Sequence, residues 1–141
     1  MVKKFTQMNN DALKIHTRMI KSNPAAAALI MFLVGEMGEF DNVVSCSFKV
    51  LEKGTGFTRQ ALNSAINYLE SIDWLRVYKN GRSNVYVINA EVAWKKHQDI
   101  RYRAKFRAKI ILDSEEQTHD VTKTKQLVDL SELQKFYGLE E

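Results

Sequence analysis

Residues 54–88 constrain this chain more than any other stretch. Gly54, Thr55 and Gly56 form a tight connection, and Thr58 has the side chain of a helix N-cap. From Arg59 to about Ser71 the apolar residues Leu62, Ala65, Ile66, Leu69 and Ile72 recur at spacings of three and four. That period predicts a helix with one buried face. Its other face offers Arg59, Gln60, Asn63, Ser64 and Asn67, and no acid before Glu70. Two β-rich runs follow, 74–79 and 82–88, separated by Asn80-Gly81. Asn-Gly between such runs predicts a hairpin with a type I′ turn, because both central residues of that turn need positive φ. Lys79 and Arg82 flank the expected tip.

Upstream, Asn9 or Asn10 caps a helix expected from 11 to about 21, and Ser22-Asn23-Pro24 then reads as a second start signal with proline in the first turn. The second helix, 25–37, has a broad apolar surface that includes Ala28, Leu29, Phe32 and Leu33, and it stops near Gly38. Its poverty in charge makes it the central core helix. Val43 to Cys46 reads as a short strand, after which Ser47 caps a brief helix, 48–53, ending at Gly54.

This order of short helix, glycine turn, amphipathic helix and hairpin predicts an α+β fold of winged helix-turn-helix type, with an additional N-terminal helix. In that arrangement the second helix enters the major groove of double-stranded DNA and the hairpin lies beside the backbone or minor groove. The side chains suit the task. Arg59 can fork onto guanine, Gln60, Asn63 and Asn67 can pair with adenine, and Thr58 and Ser64 can hold phosphate. Lys79 and Arg82 would add phosphate contacts, and Lys49 and Lys53 on the preceding helix are further phosphate candidates. Each of these residues taken singly is also ordinary solvated surface.

Between 100 and 110 apolar residues alternate with Arg101, Arg103, Lys105, Arg107 and Lys109. Period two predicts a strand with all five cations on one face, although Ala, Arg and Lys also suit a basic helix. Such a segment could track DNA through Arg101 and Arg103, meet another subunit, face the acidic tail, or protect a sheet edge. Residues 1–112 carry 18 Lys and Arg against 9 Asp and Glu, whereas 113–141 carry 3 against 8, so the net +4 conceals +9 and −5. A basic part of that size attracts polyanions. The expected organisation is a DNA-binding domain over 1–112 and a partly flexible acidic tail over 113–141 with a short helix near its end.

Catalytic readings fail on composition. His16, His97 and His119 stand far apart with no Cys or His at ligand spacing, which argues against a zinc site or the histidine cluster of a rolling-circle nuclease. No glycine-rich loop ends in Lys-Ser or Lys-Thr, so no nucleotide-phosphate cradle is expected. Neither an enzymatic activity nor a cofactor is implied. Cys46, the single cysteine, is expected to be a buried structural thiol, and Trp74 and Trp94 to be packing residues. The longest apolar run is about half of what a bilayer needs, and the N-terminus has no export signal, so the expected location is the cytoplasm.

The stretch 56–70, followed by Trp74-Leu75, the hairpin and the segment Ile88-Asn89-Ala90-Glu91-Val92-Ala93-Trp94-Lys95, resembles the RepL-type plasmid replication initiators. The similarity covers about 25–110, and its distinctive part is the segment after the hairpin. The resemblance implies binding to repeated sites in a plasmid origin and recruitment of host replication proteins. The C-terminal tail departs from the pattern. Two other readings stay open at this level: a homodimeric transcriptional regulator of the same fold, and an interaction module that holds an acidic protein.

Overall fold

The protein is described by a computed structural model, which covers residues 5–38 and 41–95. The elements run β1 (Gln7–Met8), α1 (Asn10–Ser22), α2 (Pro24–Glu36), β2 (Val43–Ser47), α3 (Phe48–Thr55), α4 (Arg59–Ser71), β3 (Leu75–Asn80), β4 (Ser83–Ile88) and β5 (Ala93–Trp94). The basic segment 100–110, with Arg101 and Arg103, and the acidic region 113–141 lie outside the described residues. Among the described residues no helix is long and apolar enough to cross a membrane.

The centre is α2. Ala25, Ala26, Ala27, Leu29, Ile30 and Leu33 are all buried, as its lack of charge requires, and α1, α3 and α4 pack around it. Its entry is set by one residue. The Asn23 N–H closes α1 on the Met19 carbonyl at 2.7 Å, while its side chain accepts the Ala26 N–H at 3.2 Å, so α1 and α2 meet without a linker. The His16 Nε2–H donates to the Ala27 carbonyl at 3.0 Å and ties the two helices a turn further on. Asn9, rather than Asn10, caps α1 by accepting from Asp11 N at 2.8 Å.

Helix α3 corrects one expectation. It does not end at Gly54 but runs on through Thr55 to Gly56, which takes the left-handed cap at φ +79°. Gly54 is instead a point of close approach: a Cβ there would collide with the Phe32 ring of α2. Thr58 caps α4 as predicted, accepting from Ala61 N at 3.2 Å, and Leu62, Ala65, Ile66 and Leu69 face the core.

The hairpin forms, with its turn displaced by one residue. Asn80 pairs with Ser83, so the central residues are Gly81 and Arg82 rather than Asn80 and Gly81. Only Gly81 has positive φ, at +62°, which matches the sign pattern of a II′ turn and not of the expected I′ turn. Strand β2 adds antiparallel to β4, giving the sheet order β2-β4-β3. A second small sheet was not foreseen: β1 pairs antiparallel with β5, Met8 opposite Ala93.

The collision at Gly54 leads to an expected outcome. Alanine normally gains about 1 kcal/mol over glycine inside a helix, yet Gly54→Ala should destabilise the protein by about 1–3 kcal/mol through overpacking. A lower urea midpoint checks this; a higher midpoint would show that the Phe32 ring yields freely.

Candidate functional site

Helix α4 and the hairpin enclose an open groove of about 690 Å³. Arg59, Asn63 and Asn67 line it from the helix, and Lys79 and Arg82 from β3 and the turn. Five residues that the sequence singled out separately therefore share one surface. All five are exposed at their side chains.

The turn angle of about 100° per residue divides the free side of α4 into two rows. Arg59, Asn63 and Glu70 lie on the row that faces the hairpin, whereas Gln60, Ser64 and Ser71 point outward, and Asn67 stands between them. Gln60 and Ser64 are exposed but do not line the groove. Thr58 is also exposed, and its hydroxyl oxygen already accepts the capping bond, which leaves its O–H to donate. Lys49 and Lys53 are exposed on α3 and stand outside the groove.

Three contributors escaped the sequence reading. The first is Phe48, at the start of α3, whose ring lies under the Arg59 guanidinium with 4.6 Å from Cζ to the ring centroid. This cation–π contact restrains a side chain that would otherwise sample many rotamers. The second is Asn84, which lines the groove and donates from Nδ2 to the Tyr86 hydroxyl at 3.1 Å. The third is the role of Glu70, which closes one end of the groove and accepts the Val77 N–H at 3.3 Å. Its carboxylate thus marks where the basic surface stops.

Tyr86 forms the buried floor next to this site. Burial pushes its phenol up to about 12; the Asn84 hydrogen bond works against that shift, Cys46 adds to it, and the Arg59 charge again opposes it. Cys46 is half-buried rather than fully enclosed, and its thiol is raised by burial and by Glu36, so it has no thiolate character to suggest reactivity. Trp74 is buried, whereas Trp94 is only partly so.

The segment after the hairpin has a structural task. Asn89 is buried, donates from Nδ2 to the Asp73 carbonyl at 2.8 Å and accepts the Glu91 N–H at 2.9 Å. Asp73 needs such support because it is the non-glycine described residue with positive φ, at 59°. Trp94 then pairs with Gln7, and the Lys95 ammonium reaches the Gly35 carbonyl at 2.8 Å. The Asn89 bond ties the end of the hairpin to the turn that follows α4, while Trp94 and Lys95 tie the segment beyond it to β1 and α2. Comparison with known protein families, curated proteins and solved structures finds no match to this chain.

The Tyr86 phenol gives a pH prediction. It ionises near 10 in an unfolded chain and near 12 in the folded one. Its contribution is therefore complete below pH 10 and is lost as pH rises through 12, on the order of 2–3 kcal/mol. Denaturant titrations at rising pH should show a shallower alkaline decline for Tyr86→Phe than for the wild type. Parallel slopes would sink this assignment.

Proposed function

We propose that this chain is a sequence-specific, double-stranded DNA-binding protein of winged helix-turn-helix type, with α4 as the reading helix and the β3–β4 hairpin as the wing. The observation that carries the proposal is the shared groove, where Arg59, Asn63 and Asn67 meet Lys79 and Arg82 with no acid before Glu70. The order α2, β2, α3, α4, β3, β4 with the sheet order β2-β4-β3 supports it, as does the excess of 9 positive charges over residues 1–112. Gln60, Ser64 and Asn67 point where base edges would lie. Arg59, held by Phe48 at the N-terminal end of α4, is placed to take a guanine. From Arg59 to Glu70 the helix rises about 16 Å, which matches about five base steps of B-DNA.

The finer role follows from the resemblance of 56–70 and 88–95 to RepL-type initiators: binding at repeats in a plasmid origin, as a homodimer or in several copies, with recruitment of host replication proteins. No membrane partner enters this reading. Selection of bound sequences from random DNA, followed by footprinting on the chain's own flanking DNA, tests both levels. An enriched site repeated beside an A/T-rich stretch, whose deletion abolishes plasmid maintenance, is the expected result. Protection confined to a promoter with replication unaffected would make the protein a regulator, and failure to enrich any sequence would refute specific binding.

The two groups of side chains should separate in mutants. Lys79→Ala and Arg82→Ala should each weaken binding to all sequences and reduce the slope of log affinity against log salt by about 1. By contrast, Arg59→Ala should cost about 1–3 kcal/mol at one base pair and relax the preference there. Gel shifts over a salt series with matched and mismatched sites measure both effects.

A further inference from the structure

The two outer edges of the three-stranded sheet differ in kind. On β3 the Val77 N–H is taken by the Glu70 carboxylate at 3.3 Å, and Lys79 stands on the same strand. An acceptor and a charge of this sort discourage further strand pairing. Edge strand β2 has neither. Val43-Val44-Ser45-Cys46-Ser47 carries no charge and no proline, and among the described residues only β4 pairs with it.

The ladder shows which groups of β2 face outward. The Ile88 N–H donates to the Asn42 carbonyl at 2.7 Å, so Asn42 and Ile88 are a hydrogen-bonded pair. Such pairs alternate along antiparallel strands. Val44 and Cys46 therefore bond β4, while the N–H and C=O groups of Val43, Ser45 and Ser47 point away from it. Ser45 is exposed there, and β2 lines a groove of about 600 Å³ together with Phe32 and Glu36 of α2 and Val50 of α3.

We propose that β2 is a dimer interface, pairing antiparallel with β2 of a second copy about a two-fold axis at Ser45. The charges beyond the strand ends single out this occupant. Asp41 stands two residues before β2 and Lys49 two residues after it, each four residues from Ser45. In that register Asp41 of each copy comes to the end where Lys49 of the other stands. The exposed Glu36 in the groove adds to the acidic side, and the exposed Lys53, one turn after Lys49, adds to the basic one. A strand of another protein would have to bring this match, whereas a second copy carries it by symmetry.

Ser45 exchanges both its backbone bonds with Ser45 of the second copy, at about 5.5 Å between Cα atoms, and Val43 pairs with Ser47. The small serine side chains at the axis permit the approach. On the core side Val44 comes opposite Cys46. No residue of β2 lines the α4 groove, and this inference does not depend on DNA binding.

Sedimentation of the full chain without DNA, with amide hydrogen exchange over a dilution series, tests it. The expected result is a reversible dimer. Its Val43 and Ser45 amides exchange slowly when concentrated and fast when dilute, while those of Val44 and Cys46 stay slow throughout. A chain that remains monomeric, a dimer whose Val43 and Ser45 exchange ignores dilution, or slow exchange of both in the dilute monomer overturns the proposal. Ser45→Lys sets two like charges opposite each other at the axis and should raise the dissociation constant about fivefold. Lys49→Glu should raise it too, whereas Thr17→Lys, on the exposed side of α1, should leave it unchanged. Unaltered methyl resonances of Leu29 and Leu33 in α2 show that a variant is folded. A folded Ser45→Lys or Lys49→Glu chain that dimerises as tightly as the wild type refutes the pairing.

Discussion

The seclusion of α2 from water is the constraint on which the other elements depend. Thirteen residues with no charge before Glu36 cannot form an exposed helix, and Leu29, Ile30 and Leu33 are wholly buried. Each neighbour is consequently one-sided. Helix α4 gives Leu62, Ala65, Ile66 and Leu69 to this core, and the same rotation that buries them leaves its polar residues outside. The surface proposed to read DNA is therefore the complement of the core, and its orientation is as firm as the packing beneath it.

The groove is lined by elements that a second set of contacts joins to their neighbours. Arg59 of α4 rests on Phe48 of α3, Glu70 of α4 holds Val77 of β3, and Asn89 braces the turn at Asp73. Helix α4 and the hairpin are thus joined at their shared base, and α4 to α3 at its N-terminal end. For the DNA binding proposed above, walls already joined in this way have less to order on contact, which lowers the entropic cost of association.

Where local chemistry decides, the sequence was sufficient. Asn23, Ser47 and Thr58 cap α2, α3 and α4, because a side-chain oxygen three residues before a free N–H is a local signal. It failed where tertiary contacts choose between local equals. Gly54 and Gly56 are both plausible helix ends, and the Phe32 ring, far away in sequence, explains the glycine at 54 and leaves the cap to 56. The turn lies in the register that pairs Val77 with Tyr86 and Leu75 with Ile88. The expected register would have set Val77 opposite Asn84 and Leu75 opposite Tyr86 with every side chain on the same face, so strand parity could not separate the two. Strands β1 and β5 have two residues each and no period to detect. Asn84 did carry a signal: it shares strand parity with Tyr86 and Ile88, so a polar residue there had to find a polar partner.

Asn23 has a mechanical consequence. A single residue ends one helix and begins the next, with His16 spanning the corner, so the joint between α1 and α2 has no slack. Helix α1 cannot swing as an arm on a hinge. Any torque applied to its exposed side, where Leu13 and Ile20 stand 46% and 53% exposed, is delivered directly to α2 and through it to α4. The N-terminal helix is in that sense a handle welded to the shaft on which the groove-lining helix is mounted.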